Sequence, residues 1–311
     1  MNWQALQNID RRWIYLTLGV VFIISLILGK AQTGVILPTV NDLYQAVENV
    51  PADRIIFINT TFAPNTLAES GNQARAIIRH AAISHHKFAI MAVDPQGANL
   101  GLIIAKDVAK EYNLKYGEDW ISFGYQLPVM AFYKSFNINV LDAVKQDAVE
   151  GKAANAENFP MLANLKKPSD IGLMVEVSAS ASLFDWIQIV QPTTTPRLKL
   201  GYACTGVMAS EAFPYLDSKQ LVGMMPGLKG AADYEQLVDE KEKALVAAGV
   251  LQHPYESDKA IIKYIVSPAR ILMFTQSNAH VVVILLIILG NIGYLVTRYR
   301  AKKKQLEEAA G

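Results

Sequence analysis

The chain has 311 residues, 51% of them hydrophobic, and a formal net charge of +1 at pH 7. Residues 1–12 carry +1 and residues 298–311 carry +3 of that total, which leaves −3 for the stretch between and excludes a basic nucleic-acid-binding surface there. The single cysteine, Cys204, excludes an intramolecular disulfide framework.

Two apolar runs bracket the sequence, residues 13–29 (WIYLTLGVVFIISLILG) and 279–297 (AHVVVILLIILGNIGYLVT), and neither contains Asp, Glu, Lys or Arg. Runs of about 17–20 apolar residues cross a bilayer core as helices, the form in which an isolated span satisfies its own backbone. Arg11 and Arg12 precede the first run, and Arg298, Arg300, Lys302, Lys303 and Lys304 follow the second. Only Lys30 and the more distant Arg270 lie on the other side. The positive-inside rule then expects an inner or plasma membrane protein with both termini (1–12 and 298–311) cytoplasmic and the main domain extracytoplasmic, that is, periplasmic. Ala31 leaves a cleaved signal peptide as a competing reading, although the first run is long for an h-region.

After the first run, residues 30–52 read as a stalk with Gly34, Pro38, Pro51 and a short helix near 41–50. Residues 54–60 (RIIFINT) form an isoleucine-rich strand suited to burial on both faces. Thr66 offers a cap for a helix reaching about Ser84. A second strand at 87–93, the turn Asp94-Pro95-Gln96-Gly97 and a helix over 98–112 follow. A third strand at 119–123 leads to residues 127–151, helical in two pieces divided near 137–139, and then to a connection over 152–170. Strands at 171–177 and 197–203 flank a helix at 183–190, and helices at 208–216 and 228–248 enclose a loop. This alternation predicts a doubly wound, mostly parallel, Rossmann-like α/β domain over 53–257. An apolar connector, 258–278, with IIKYIV and ILMF, reads as an interfacial or docked segment.

In such sheets ligands sit beyond the carboxyl ends of the strands. The candidate ligand-binding residues are therefore Asn59, Thr61, Asp94, Gln96, Gly97, Ser178, Ser180, Thr205 and Gly206, with Thr60, Gly124 and Tyr125 on the same rim. Their glycines and small hydroxyls suit a small anionic ligand, although turns after strands are polar in any case. The sequence has no G-x-S-x-G, H-E-x-x-H, Walker or G-x-G-x-x-G motif, so no catalytic residue and no cofactor is assigned. His80, His85 and His86 miss the i,i+4 spacing of a helical metal pair, and no metal site is assigned. Cys204 follows an apolar strand-like run and reads as a buried structural thiol. Met224, Met225 and Pro226 read as an exposed apolar tip that touches a partner or the membrane surface. Gly290 and Asn291 in the second run suggest contact with another helix, of a homo-oligomer or of other membrane subunits.

Asp10-Arg11-Arg12 before the first run, together with GYACTGVMASEAFPYLDSKQLVGMMPGLKGAADYE, resembles a family of two-span bacterial membrane proteins with an extracytoplasmic α/β domain. The likeness extends loosely over VDPQG and most of the chain, while Met224-Met225-Pro226 replaces the family's glycine-richer tip. That family has no assigned activity, so the resemblance implies architecture and a bacterial envelope setting only. The leading expectation is a non-enzymatic subunit or scaffold of an envelope complex. The alternative is a binding or hydrolytic domain for a small anionic ligand at the carboxyl rim. A deep polar cleft with perturbed titrating groups favours the alternative, and a shallow rim with apolar patches favours the scaffold.

Overall fold

Short runs of mostly apolar residues, richest in isoleucine at residues 55–58, form strands that pair in parallel, as runs buried on both faces do. The computed structural model describes residues 10–127, 129–252 and 267–310. It divides into a domain, 33–270, and a second unit made of the terminal segments up to residue 32 and from 271. The domain holds β1 (Ile55–Thr61), β2 (Lys87–Ala92), β3 (Trp120–Tyr125), β4 (Leu173–Ser178), β5 (Leu200–Cys204) and β6 (Leu221–Pro226). They form one all-parallel sheet in the order β3-β2-β1-β4-β5-β6, so the winding reverses between β1 and β4.

The terminal unit contributes α1 (Arg11–Leu28). Helices α2 (Pro38–Glu48), α3 (Asn72–Ile83) and α4 (Pro95–Glu111) follow, each before β3. Between β3 and β4 come α5 (Val129–Ile138) and α6 (Val140–Val144). The stretch Ser182–Asp185 is α7, continued as one π-turn over Trp186–Val190. Next are α8 (Ala209–Asp217), α9 (Gly227–Ala247) and the long α10 (Pro268–Ala310).

One face of the sheet packs Phe57, Met174, Tyr202 and Cys204 against Phe132, Tyr133 and Phe136 of α5, Trp186 after α7, and Ala212 of α8. The other face carries α2, α3, α4 and α9. There Gly101 of α4 lies against Thr60, Gly223 of β6 against the backbone of Leu43, and Gly230 of α9 against Met225. Helices on both faces confirm the α/β layering that the alternation predicts.

The details correct the sequence reading in four places. Residues 33–52 are not a stalk: α2 buries Val40, Leu43, Tyr44 and Val47 and is part of the domain. Its Pro38 start and apolar spacing are those of a core-facing amphipathic helix. The supposed tip at Met224, Met225 and Pro226 is the sixth strand. Both methionines are fully buried, which removes them as an exposed partner surface, and Pro226 sits at the end of an edge strand, where its missing N–H is tolerated. Thr66 caps nothing; its hydroxyl donates to Ala63 O, and the helix opens through a 3₁₀ and a π-turn instead. The turn at Asp94 is the start of α4, with Pro95 at its first position and the Asp94 carboxylate accepting from Gly97 N at 2.7 Å. The break near 137–139 is real, and Asn139 caps α6 by accepting from Leu141 N.

In the terminal unit, α1 and α10 are both long and apolar enough to cross a membrane. Asp10 caps α1 by accepting from Arg12 N. The helices meet through Asn278 Nδ2 donating to Ser25 Oγ at 3.0 Å, and Ser277 Oγ donates to Gln32 at 3.1 Å. Asn291 donates to Ile287 O in its own helix, so its amide donor has a partner without a second chain, and Gly290 faces open space. The connector divides: residues 268–278 are already helical in α10, whereas 258–266, with IIKYIV, lie outside the described residues.

Candidate binding cleft at the strand reversal

Where β1 and β4 part, their loops turn to opposite faces of the sheet and leave a crevice, the place where open α/β sheets hold ligands. Here it is a cleft of about 610 Å³, within the ~300–1,000 Å³ of small-molecule sites. Thr61 and Phe62, Asn65 and Thr66, Asp94 at the end of β2, and Ser180, Ser182 and Asp185 after β4 give it its character.

Of the expected rim residues, Thr61, Asp94 and Ser180 line this cleft. Asn59 and Ser178 lie just below it, fully buried. Gly97 is buried beneath the β1 rim, and Gln96 is exposed on the first turn of α4. Thr205 and Gly206 belong to the β5 rim and do not line the cleft; Gly206 N donates to Glu69 instead, at 2.8 Å. The nine residues share the carboxyl end of the sheet, as the parallel reading requires, but only some share a site.

Beneath the cleft lies a group the sequence reading passed over. Glu176 sits mid-way along β4, fully buried, beside Asn59 of β1. It accepts from Asn59 Nδ2 at 2.5 Å, Ser182 Oγ at 2.5 Å and Trp186 Nε1 at 2.9 Å. Burial pushes its carboxyl up to about 7, against the pull of these donors from Ser182, Asn59 and Trp186. None of its hydrogen-bond partners is a cation. The signal was available in IGLMVEV, where one carboxylate interrupts a strand otherwise apolar on both faces.

Three serines connect this carboxylate to the cleft. Ser182 spends its proton on Glu176, so Ser178 Oγ donates to Ser182 Oγ at 2.8 Å and Ser180 Oγ donates to Ser178 Oγ at 3.0 Å. Ser180 is exposed, which gives a hydroxyl chain from the cleft surface to the buried acid. Asn59 also donates to Thr61 Oγ1, and its Oδ1 is a fully buried acceptor without a partner. Turning the amide over presents that oxygen to a protonated Glu176, so the pocket accommodates both charge states.

The proton balance has a consequence for stability. The folded carboxyl titrates near 7 and the unfolded one near 4.5. The folded chain therefore holds the extra proton between those values, and stability falls as pH rises from about 4.5 to about 7. Wild-type unfolding free energy minus that of Glu176→Gln, which does not titrate, should fall over that window and be flat above it. Urea titrations of both proteins from pH 4 to 8.5 check this; a constant difference across the range contradicts it.

Other conspicuous groups are structural. His80 is buried, stacked on Tyr44 at 4.2 Å, and joined by Nδ1 to Tyr234 OH and by Nε2 to Glu48. Burial lowers it to about 4, so it is neutral and both ring nitrogens are occupied. Cys204 is buried, its thiol pushed up to about 12 by burial, as the sequence reading expects of a structural cysteine. Among the described residues no group of three His, Cys, Asp or Glu side chains is placed to hold a metal.

The cleft also bears on the kind of ligand. Among the described residues its lining contains Asp94 and Asp185 and no Lys, Arg or His. The chain after β1 reads TTFAPNT, without the glycines that cradle a phosphate, and Asp94 already occupies the α4 N-terminus. Among the described lining residues an anion meets no cationic side chain. No family model, curated protein or solved structure matches this chain.

Proposed function

We propose that this chain is a membrane-anchored binding protein whose α/β domain, Rossmann-like in its 3-2-1-4-5-6 order, receives a small polar ligand in the cleft at the strand reversal. The observation that carries this reading is the cleft itself, floored by the serine chain over Glu176. A cleft of this volume above a buried carboxyl with a raised pKa favours a ligand-binding domain over a scaffold. Binding is favoured over hydrolysis because no histidine is among the described lining residues and neither Ser180 nor Ser182 has the positive φ of a nucleophile elbow. The bacterial envelope setting and any subunit contact through α10 belong to the same proposal, as does the orientation with cytoplasmic termini.

Ala181 is exposed on the cleft wall, and Ala181→Trp fills the space with little else disturbed. Thermal unfolding should be followed for wild type and Ala181→Trp against a panel of amines, polyols, carboxylates and phosphates. At least one class should raise the wild-type midpoint and leave the variant unmoved. Equal shifts in both proteins, or none in either, count against the cleft as a binding site.

Orientation has its own test. Cys204 is buried and its thiol is held protonated, so wild type is an unreactive background. Gln45→Cys should label with an impermeant maleimide on intact cells, and Ala301→Cys only after permeabilisation. The reverse pattern overturns the proposed topology.

A further inference from the structure

Resting on the cleft as a binding site, we infer that its ligand carries a cationic amino group, held between Asp94 and Asp185 with its protons directed at the Ser180 and Thr61 hydroxyls. Three independent observations point the same way. First, the two carboxylates stand on different walls, Asp94 after β2 and Asp185 after β4, so a compact cation between them meets negative charge from both sides. Asp94 uses Oδ1 on Gly97 N, and among the described residues no hydrogen bond or ion pair engages the Asp185 carboxylate, which burial pushes up toward the neutral form. An incoming cation relieves that cost, because an opposite charge at close range favours the ionised acid.

Second, the surroundings are acceptors. Glu176 lies below the floor with no cationic partner among the described residues, and the fully buried Asn59 Oδ1 beside it has no donor among them. An ammonium has three donors and no acceptor, and matches such a site; a carboxylate or phosphate, acceptor-only, does not. Third, no Lys, Arg or His among the described lining residues competes for these acids or attracts an anion. Phe62, Val93 and Ala179 supply apolar wall for a short carbon chain between polar ends.

The test compares three four-carbon probes that differ only in their end groups: putrescine, 1,4-butanediol and succinate. Calorimetric titration of the full chain in mild detergent should show binding of putrescine and neither of the others, weakening as sodium chloride is raised. Asp185→Asn should lower the putrescine affinity about tenfold, while the far-ultraviolet dichroism and unfolding midpoint stay at the wild-type values. Ala181→Trp should abolish binding. If butanediol or succinate binds and Ala181→Trp blocks it, the cationic assignment is wrong and the cleft remains a binding site. Putrescine binding that is unchanged in both variants overturns the inference, because the amine is then held elsewhere. No binding by any of the three also overturns the amine class, and the wider panel of ligand classes then decides the fate of the cleft separately.

Discussion

Arg79→Met is expected to destabilise the domain by about 3–5 kcal/mol. Arg79 of α3 is buried to 1% exposure and contacts Glu242 at 2.6 Å and Asp239 at 3.2 Å, both on α9 and both buried. Asp239 in turn accepts from Arg270 at 2.6 Å and from Ser267 Oγ at 2.6 Å, and Tyr112 OH donates to Glu242 at 2.9 Å. A methionine fills the space of the arginine stem but leaves the Glu242 carboxylate in low dielectric without Arg79, while Asp239 keeps Arg270. The cost is that of unpaired charge rather than of lost attraction, so neutralising Glu242 as well should restore stability. Arg79→Met/Glu242→Gln is therefore expected to recover part of the loss. Chemical denaturation of the three proteins checks this; a double variant no more stable than the single one contradicts it.

The same cluster holds the start of α10, since Glu235 accepts from Ala269 N and Arg270 N. Burial, with Asp239 nearby, raises Glu235 to about 8, against the pull of Arg79 and the two backbone donors. It lies far in sequence from what it caps, and nothing local in the 227–247 helix announces it.

Gly97→Ala is expected to cost about 3 kcal/mol or more, at the upper end for an overpacked site, and to impair ligand binding with it. A Cβ at this position would lie 2.0 Å from Thr60 O and 2.9 Å from Phe62 N, both of them backbone atoms that cannot rotate away. Relief requires α4 to move off β1, which carries Asp94 and Thr61 apart and opens the cleft. Gly34→Ala is the control, because a Cβ there meets nothing within 4 Å, and it should change stability by less than about 0.5 kcal/mol. Comparable unfolding midpoints for the two variants contradict the close approach. Loss of stability with ligand affinity intact contradicts the link between this glycine and the cleft.

How much of this was legible in the sequence depended on whether the signal was local. Strand β1, with its isoleucines, and helix α9, with a long periodic pattern, could be read directly, as could the two terminal apolar helices. Strand β6 could not, because LVGMMP has no alternation and contains both strand breakers; its burial comes from α2 lying across Gly223, a tertiary fact. Residues 30–52 resembled a stalk because of Gly34, Pro38 and Pro51, and only that contact shows α2 to be part of the domain. At the site, parallel winding placed the right rim but not the right pocket. Thr61, Asp94 and Ser180 came together because the winding reverses beside β1, whereas Gly206 turned to Glu69. Glu176 and Asp185 were missed because each is a single acid in an apolar segment, and only the fold shows that one is buried and the other faces a cleft.

The most direct measurement is hydrogen–deuterium exchange of the full chain in mild detergent, with and without saturating putrescine. Binding in the cleft predicts added protection in peptides covering residues 61–66, 93–97 and 179–185, with none over β6 at Leu221–Pro226. Protection confined to β6, α9 or the terminal helices, with those three segments unchanged, contradicts a ligand site at the strand reversal.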